Sequence, residues 1–260
     1  MKVYKQLDYP FAIPKPVITS GTFDGVHVGH RKIIRRVKEW ADSIEGESVI
    51  LTFEPHPRLV LAQQDHTLRL LTTLEEKLDL LDKVGIQHTV VIPFNKEFAA
   101  MISEDFVKNI LINTLHIHSL VIGYDHQFGR NREGSYTHLK ALSTEWGFHV
   151  EEIPAQDVDD VEVSSTKIRQ ALLSGDVKTA ARYLSYPYQM KGKVIEGNKI
   201  GRTIGYPTAN ILIDNPLKLI PAIGIYAVRV EINGVLHDGM LSIGYRPTIE
   251  ETANINIEVH

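Results

Sequence analysis

Gly21-Thr22-Phe23-Asp24-Gly25-Val26-His27-Val28-Gly29-His30 lies between an apolar triplet, Val17-Ile18-Thr19, and a segment of helical period from His30 to Ile44. In that segment Ile33, Ile34, Val37, Trp40, Ala41 and Ile44 share one stripe, and Arg31, Lys32, Arg35, Arg36, Lys38 and Glu39 fall outside it. One face is core and the other is wet. A buried strand, a glycine-bearing turn and an amphipathic helix in succession form the opening unit of a parallel sheet flanked by helices. In such sheets ligands gather beyond the carboxyl ends of the strands.

Outward from this unit the alternation repeats between Pro16 and Pro154. Ser48 to Phe53, His88 to Ile92, Leu120 to Gly123 and Phe148 to Ile153 read as strands, giving five in all and a wholly parallel sheet. Thr73 and Glu76 form a capping box ahead of Leu74, Leu78 and Leu81. Further helices start near Ser103 and Ser135, the second closed by Gly147. Ser164 to Leu173 and Val177 to Leu184 are then two successive helices around Gly175, so the strand rhythm ends there. Beyond Tyr188 the chain is β-rich, with an Asn233-Gly234 turn joining Ile225 to Ile232 and a return strand from Val235. The expected architecture is α/β: a Rossmann-like domain over 1–186, then a small antiparallel β-barrel over 187–260.

The bulk composition agrees. The 260 residues suffice for two cores, and 43% hydrophobic with 23% charged residues is ordinary globular usage. The absence of cysteine removes disulfides, thiolate nucleophiles and cysteine metal sites, and fits a reducing cytoplasm. Met1 to Asp8 lacks the apolar core of a signal peptide, and no apolar stretch approaches bilayer length, so no membrane partner is expected. A formal charge of −4 argues against a nucleic-acid partner, while a small anionic ligand needs only a local basic pocket. The oligomeric state is left open, a homo-oligomer included.

His27 and His30 are three positions apart at a helix start, so both imidazoles can reach the same side and donate hydrogen bonds to one phosphate. The helix N-terminus adds unpaired N–H groups and the positive end of the helix dipole. Gly25 and Gly29 allow a tight turn and close backbone approach. Two surface histidines are the bland alternative. A zinc site would lack its third nearby ligand.

The stretch resembles the HxGH signature of the nucleotidyltransferase superfamily, and its longer form GTFDGVHVGH resembles the bacterial bifunctional riboflavin kinase/FAD synthetases. The likeness extends over nearly the whole chain. Thr52-Phe53-Glu54-Pro55-His56-Pro57 is similar to that family's second motif, with Phe53, Pro55, His56 and Pro57 as flavin-side contacts, although Phe53 also reads as strand core. Gly123 to Gly129, with Gly134, resembles the third, and carries Asp125 to adenine and ribose. Ser164-Ser165-Thr166-Lys167-Ile168-Arg169 resembles the fourth, in which Ser164, Ser165, Thr166 and Arg169 engage phosphates; Ser164 as a plain helix cap is the alternative. Gly21, Phe23, Asp24 and Gly29 complete the implied ATP site.

The chemistry so implied is attack by the FMN phosphate on the α-phosphorus of ATP, giving FAD and pyrophosphate, with Mg²⁺ on the phosphates. A phosphate monoester has its second pKa near about 6, so the nucleophile is already ionised at neutral pH and needs no general base. The protein's task is positioning and electrostatic stabilisation, for which His27, His30, Arg169 and the helix tip are suited.

Gly201-Arg202-Thr203-Ile204-Gly205-Tyr206-Pro207-Thr208-Ala209-Asn210 resembles the riboflavin kinase PTAN motif and its glycine-rich flap, where the family holds Mg²⁺-ATP; a plain loop is the alternative. Thr208 and Asn210 offer hard oxygens on one face of an extended segment. A riboflavin hydroxyl must lose a proton, and Glu258 stands where the family has its catalytic glutamate, unless it is only a solvent-facing strand carboxylate. The resemblance implies several more strands and a helix beyond the end of this chain. The expectation is an unclosed barrel with an exposed strand edge and an incomplete flavin pocket, which counts against kinase turnover without excluding it.

Three other readings compete. Another HxGH adenylyltransferase, acting on a pantetheine or nicotinate nucleotide, would not carry the PTAN module. A class I tRNA synthetase shares an HxGH-like motif but would suit a more basic, longer chain. A flavin-nucleotide binding or sensing protein without turnover would have little use for groups aimed at the α-phosphorus.

Overall fold

The computed structural model describes residues 1–7, 11–61, 67–124, 128–130, 134–154, 163–196, 207–245 and 255–260. Two compact units result, Met1–Leu68 with Thr72–Ser165, and Arg69–Leu71 with Thr166–His260.

The first unit is a parallel sheet of β1 (Lys2–Tyr4), β2 (Val17–Ser20), β3 (Ser48–Glu54), β4 (His88–Pro93), β5 (Ser119–Gly123) and β6 (His149–Ile153), in the order β1-β4-β3-β2-β5-β6. The five expected strands are present and parallel, and β1 adds a sixth at the edge beside β4, Lys2 pairing with His88. Three residues of mixed polarity carry too little pattern to announce it. The inner strands are buried on both faces and mostly apolar, whereas edge strand β6 is only partly buried.

Helices α1 (Val28–Ser43), α2 (Pro57–Leu61), α3 (Leu74–Lys83), α4 (Lys96–Ala99), α5 (Ser103–Asp105) and α6 (Tyr136–Trp146) belong to this unit. α1 begins two residues earlier than its apolar stripe suggests, because His27 rather than a later residue caps it. Its stripe residues Val37 and Ala41, with Ile33, Trp40 and Ile44, pack on Val17, Val121 and Ile153. The alternate residues Ile18, Leu120 and Ile122 face the other way, into a larger core with Phe106, Leu111 and Leu139. Where a single helix from Ser103 is expected, α5 gives way to a π-helix over Phe106–Thr114. The capping box is formed as expected: Glu76 N–H donates to the Thr73 hydroxyl and Thr73 N–H to the Glu76 carboxylate.

The second unit opens with α7 (Ser165–Leu173), which carries over from the first unit's last residue, and α8 (Val177–Leu184). Strands β7 (Lys193–Ile195), β8 (Ala209–Leu212), β9 (Gly224–Ile232), β10 (Val235–Tyr245) and β11 (Ile255–Val259) form an antiparallel sheet in the order β7-β8-β11-β10-β9. Asn233 and Gly234 at φ 51° and 80° make the predicted two-residue turn, pairing Ile232 with Val235. Leu241, Ile243 and Ile257 are its core. The expected barrel is represented by this sheet, whose end strands β7 and β9 are not paired with each other among the described residues. Arg69–Leu71 joins this unit because Leu70 bridges Lys218, whose ammonium donates to the Leu71 carbonyl at 2.7 Å. Among the described residues no helix is long and apolar enough to cross a membrane.

Candidate active site

The strand order reverses at β2. Strands β3 and β4 lie to one side of it and β5 and β6 to the other, which makes the carboxyl ends of β2 and β5 the topological switch point, where open parallel sheets bind ligands. The turn from Gly21 to His27 leaves β2 at that point. Its backbone is strained: Gly25 at φ 82° is at ease, but Phe23 at 49° and Val26 at 38° are side-chain-bearing residues in the left-handed region. Such conformations cost about 1–3 kcal/mol each and persist only where the surroundings impose them. Phe23 and Val26 are buried, which locks both side chains. Thr72 staples the turn: its N–H donates to Asp24 Oδ1 at 2.9 Å, its hydroxyl to the same oxygen at 3.2 Å, and it accepts Gly25 N–H at 3.1 Å. Ser165 Oγ donates to the Asp24 carbonyl at 3.1 Å.

His27 is the N-cap of α1, and its Nδ1 accepts the His30 N–H at 3.4 Å. Accepting there leaves Nε2–H as the donor of the neutral ring. The two imidazoles stack with centroids 3.6 Å apart and planes 17° apart, and Phe23 tilts against His30 at 5.1 Å. Burial first, then the neighbouring His27 and Lys77, hold the His30 imidazole well below its ordinary pKa of 6.5. His30 Nδ1 is buried without a hydrogen-bond partner among the described residues. An orphan acceptor is tolerated better than an orphan donor, which again leaves the proton on Nε2. The pair therefore presents neutral donors rather than cations. Gly29 is buried in the first turn of α1, and the Gly21 N–H donates to Leu51 O at 2.9 Å. Of Gly25 and Gly29, only Gly25 takes the left-handed backbone of the tight turn.

Lys77, which the sequence does not single out, is buried beneath this turn. Its ammonium donates to Thr22 O at 3.2 Å, Thr52 Oγ1 at 3.0 Å and Phe53 O at 3.4 Å. Thr52 Oγ1 in turn donates to Thr22 O at 3.2 Å. Burial pushes the Lys77 pKa down against the opposing pull of Glu54 and Asp24. Burial likewise pushes Glu54 up, with Lys77 opposing. A lysine on a helix reads as a solvated charge, so only the tertiary contacts reveal it.

At the end of β3 the Glu54–Pro55 peptide is cis, Pro55 is exposed, His56 Nδ1 accepts the Arg58 N–H at 3.2 Å, and Pro57 starts α2. Phe53 meets Phe94 edge-on at 5.5 Å and Phe98 at 5.9 Å, and the aromatic run continues through Phe106 to Phe128. Phe53 is thus both strand packing and part of an aromatic wall. Phe94, directly after β4, and Phe98 in α4 lie outside the sequence motifs, and two aromatics soon after a strand end are the signal that marks them.

Asp125 lies outside the described residues. Ser164 directly precedes α7, Ser165 and Thr166 are its first residues, and Arg169 donates through Nε to Arg69 O at 2.6 Å.

In the second unit Asn210 on β8 is the direct cross-strand partner of Glu258 on β11, so both side chains stand on one face. Asn210 is buried, and Asn256 donates to Glu258 Oε1 at 2.9 Å. Thr208 is exposed just before β8, and the Gly201 to Tyr206 flap lies outside the described residues. Among the described residues no group of three or more His, Cys, Asp or Glu is placed to hold a metal ion.

The FAD synthetase family matches residues 12–167 and the riboflavin kinase family residues 184–260. A bifunctional riboflavin kinase/FMN adenylyltransferase of Listeria monocytogenes is 39% identical over 244 residues, covering 94% of this chain and 77% of the relative. That of Haemophilus influenzae is 38% identical over 247 residues, covering 94% and 78%. Among solved structures, one described as a macrolide-efflux protein from Streptococcus pneumoniae superposes with TM-score 0.87 at 30% identity, covering 100% of this chain and 83% of that one.

Proposed function

The chain belongs to the bifunctional riboflavin kinase/FMN adenylyltransferase family, and from that premise we propose that it makes FAD, its first unit adenylylating FMN and its second phosphorylating riboflavin. The observation that carries the first activity is the stacked His27–His30 pair at the tip of α1, on the sheet's reversal point. A phosphate oxygen of FMN attacks the α-phosphorus of ATP, a new P–O bond forms, and the bond to the β-phosphate oxygen breaks to release pyrophosphate. Negative charge grows on the oxygens of the transferred group. N–H donors held in place by stacking and by the helix cap, together with the helix tip, stabilise that charge without reorganising. Arg169, Ser164, Ser165 and Thr166 are assigned to the phosphates, Asp125 to the nucleoside, and Phe53 to the flavin side.

For the second activity the register of Asn210 against Glu258 supports the reading. Glu258 takes the proton from the riboflavin hydroxyl as that oxygen attacks the γ-phosphorus of ATP and ADP leaves. The hard oxygens of Asn210 and Thr208 would hold Mg²⁺, which would neutralise phosphate charge there.

Incubating the purified chain with Mg-ATP and either FMN or riboflavin, and resolving the flavins by chromatography, tests both assignments. FAD from FMN and FMN from riboflavin are expected. Unchanged FMN would overturn the first assignment, and unchanged riboflavin the second.

A further inference from the structure

We propose that Lys77 is a positioning residue for adenylyl transfer, its buried ammonium tying the turn that carries His27 and His30 to the end of β3. This rests on the adenylyl-transfer reading above and names a residue outside the sequence motifs that support it.

The geometry accounts for each of the three N–H donors of the ammonium. One reaches Thr22 O, inside the turn, and two reach Thr52 Oγ1 and Phe53 O at the carboxyl end of β3. Thr52 closes the triangle by donating to the same Thr22 carbonyl. Among the described residues Lys77 makes no ion pair, and Asp24 and Glu54 act on it only at longer range. A buried cation satisfied by carbonyls and a hydroxyl is a costly way to fill space, for which an apolar side chain of like volume serves as well or better. Its return is geometric, since Thr22 immediately precedes the strained Phe23-to-Val26 turn. The same end of α3 supplies Thr72, one residue before the Thr73 cap, so two anchors, Thr72 and Lys77, hold the turn from one side. With every donor engaged by the protein, Lys77 acts through the turn.

The charge has a second effect. The groups acting on the His30 ring are its stacked neighbour His27 and the Lys77 ammonium, both disfavouring its protonation, with burial the larger cause. Lys77 thus helps keep His30 a neutral donor while holding the loop that carries it.

The test compares wild type, Lys77→Met and Lys77→Arg in FAD formation, with the His30 imidazole followed by NMR across pH. Lys77→Met is expected to lower kcat by about 10–100-fold with a much smaller change in KM for ATP, since misplacing a positioned group by an ångström costs up to about that much. The His30 titration should move to higher pH, and Lys77→Arg should restore part of kcat. A folded Lys77→Met protein with wild-type kcat and an unmoved His30 titration overturns the proposal. Should Lys77→Met fail to fold, Thr52→Val decides, since it deletes one anchor and leaves the lysine: a several-fold loss of kcat supports the proposal and an unchanged kcat overturns it. A wild-type protein that makes no FAD defeats the adenylyl-transfer reading instead, and the His30 titration in the Lys77 variants still tests the link by itself.

Discussion

His27 and His30 are bound to each other twice, by ring stacking at 3.6 Å and by the His27 Nδ1 that accepts the His30 amide proton. A proton added to His27 at Nδ1 would break the cap of α1, and one added to His30 would put charge into a buried ring beside a buried ammonium. On the proposed reading the two rings serve as hydrogen-bond donors beside the positive end of the α1 dipole.

His30→Ala should lower kcat for FAD formation by about 10²–10³-fold, the usual cost of deleting one pre-aimed donor to a developing oxyanion. KM for ATP should change far less, because the interaction strengthens in the transition state. Steady-state kinetics would contradict this if KM rose and kcat held.

Acid should weaken the fold through His30. Its pKa is held well below 6.5 when folded, whereas the unfolded chain takes up that proton near 6.5. As pH falls through 6.5 the unfolded state binds more protons, so this contribution to stability is present above that pH and is lost below it. Denaturant titrations between pH 8 and 5 should show a shallower fall for His30→Gln than for wild type; equal slopes would remove His30 from the account.

Thr72→Val should cost about 1–3 kcal/mol in stability by removing two hydrogen bonds from a buried turn, at about 0.5–1.5 kcal/mol each. The variant deprives Asp24 Oδ1 of a hydroxyl donor and Gly25 N–H of a hydroxyl acceptor. FAD formation should fall with it because the turn loses a staple. Urea unfolding and flavin chromatography read the two effects, and a neutral variant would mean that the turn holds its shape without Thr72.

Glu258→Gln should cut riboflavin phosphorylation by about 10²–10⁴-fold, the range for loss of a general base, and leave FAD formation from FMN unchanged. A loss of both activities together would show that the carboxylate serves the fold rather than proton transfer.

Periodicity made the architecture legible where it was long. The α1 stripe, the inner strands and the Asn233-Gly234 hairpin all follow from spacing and turn chemistry. β1 was not legible because three residues show no period, nor was the π-helix at Phe106–Thr114, because its residues carry the apolar content of an ordinary helix. In the site, His27 and His30 announced themselves through the glycine frame and the helix start. Lys77 and Thr72 did not, since a lysine and a threonine acquire meaning only when tertiary contacts bury them. Asp24 reads from sequence as part of an ATP site, and the structure adds that its carboxylate also serves to hold Thr72.

The transfer of label from ATP bears most directly on the central claim that this turn delivers an adenylyl group. With ATP labelled in the α-phosphate and unlabelled FMN, the label should appear in FAD, one pyrophosphate being released per FAD formed, and His30→Ala should suppress both in parallel. Label that stays in the nucleotide pool while FMN is bound, or FAD formed at an undiminished rate by His30→Ala, would contradict the account.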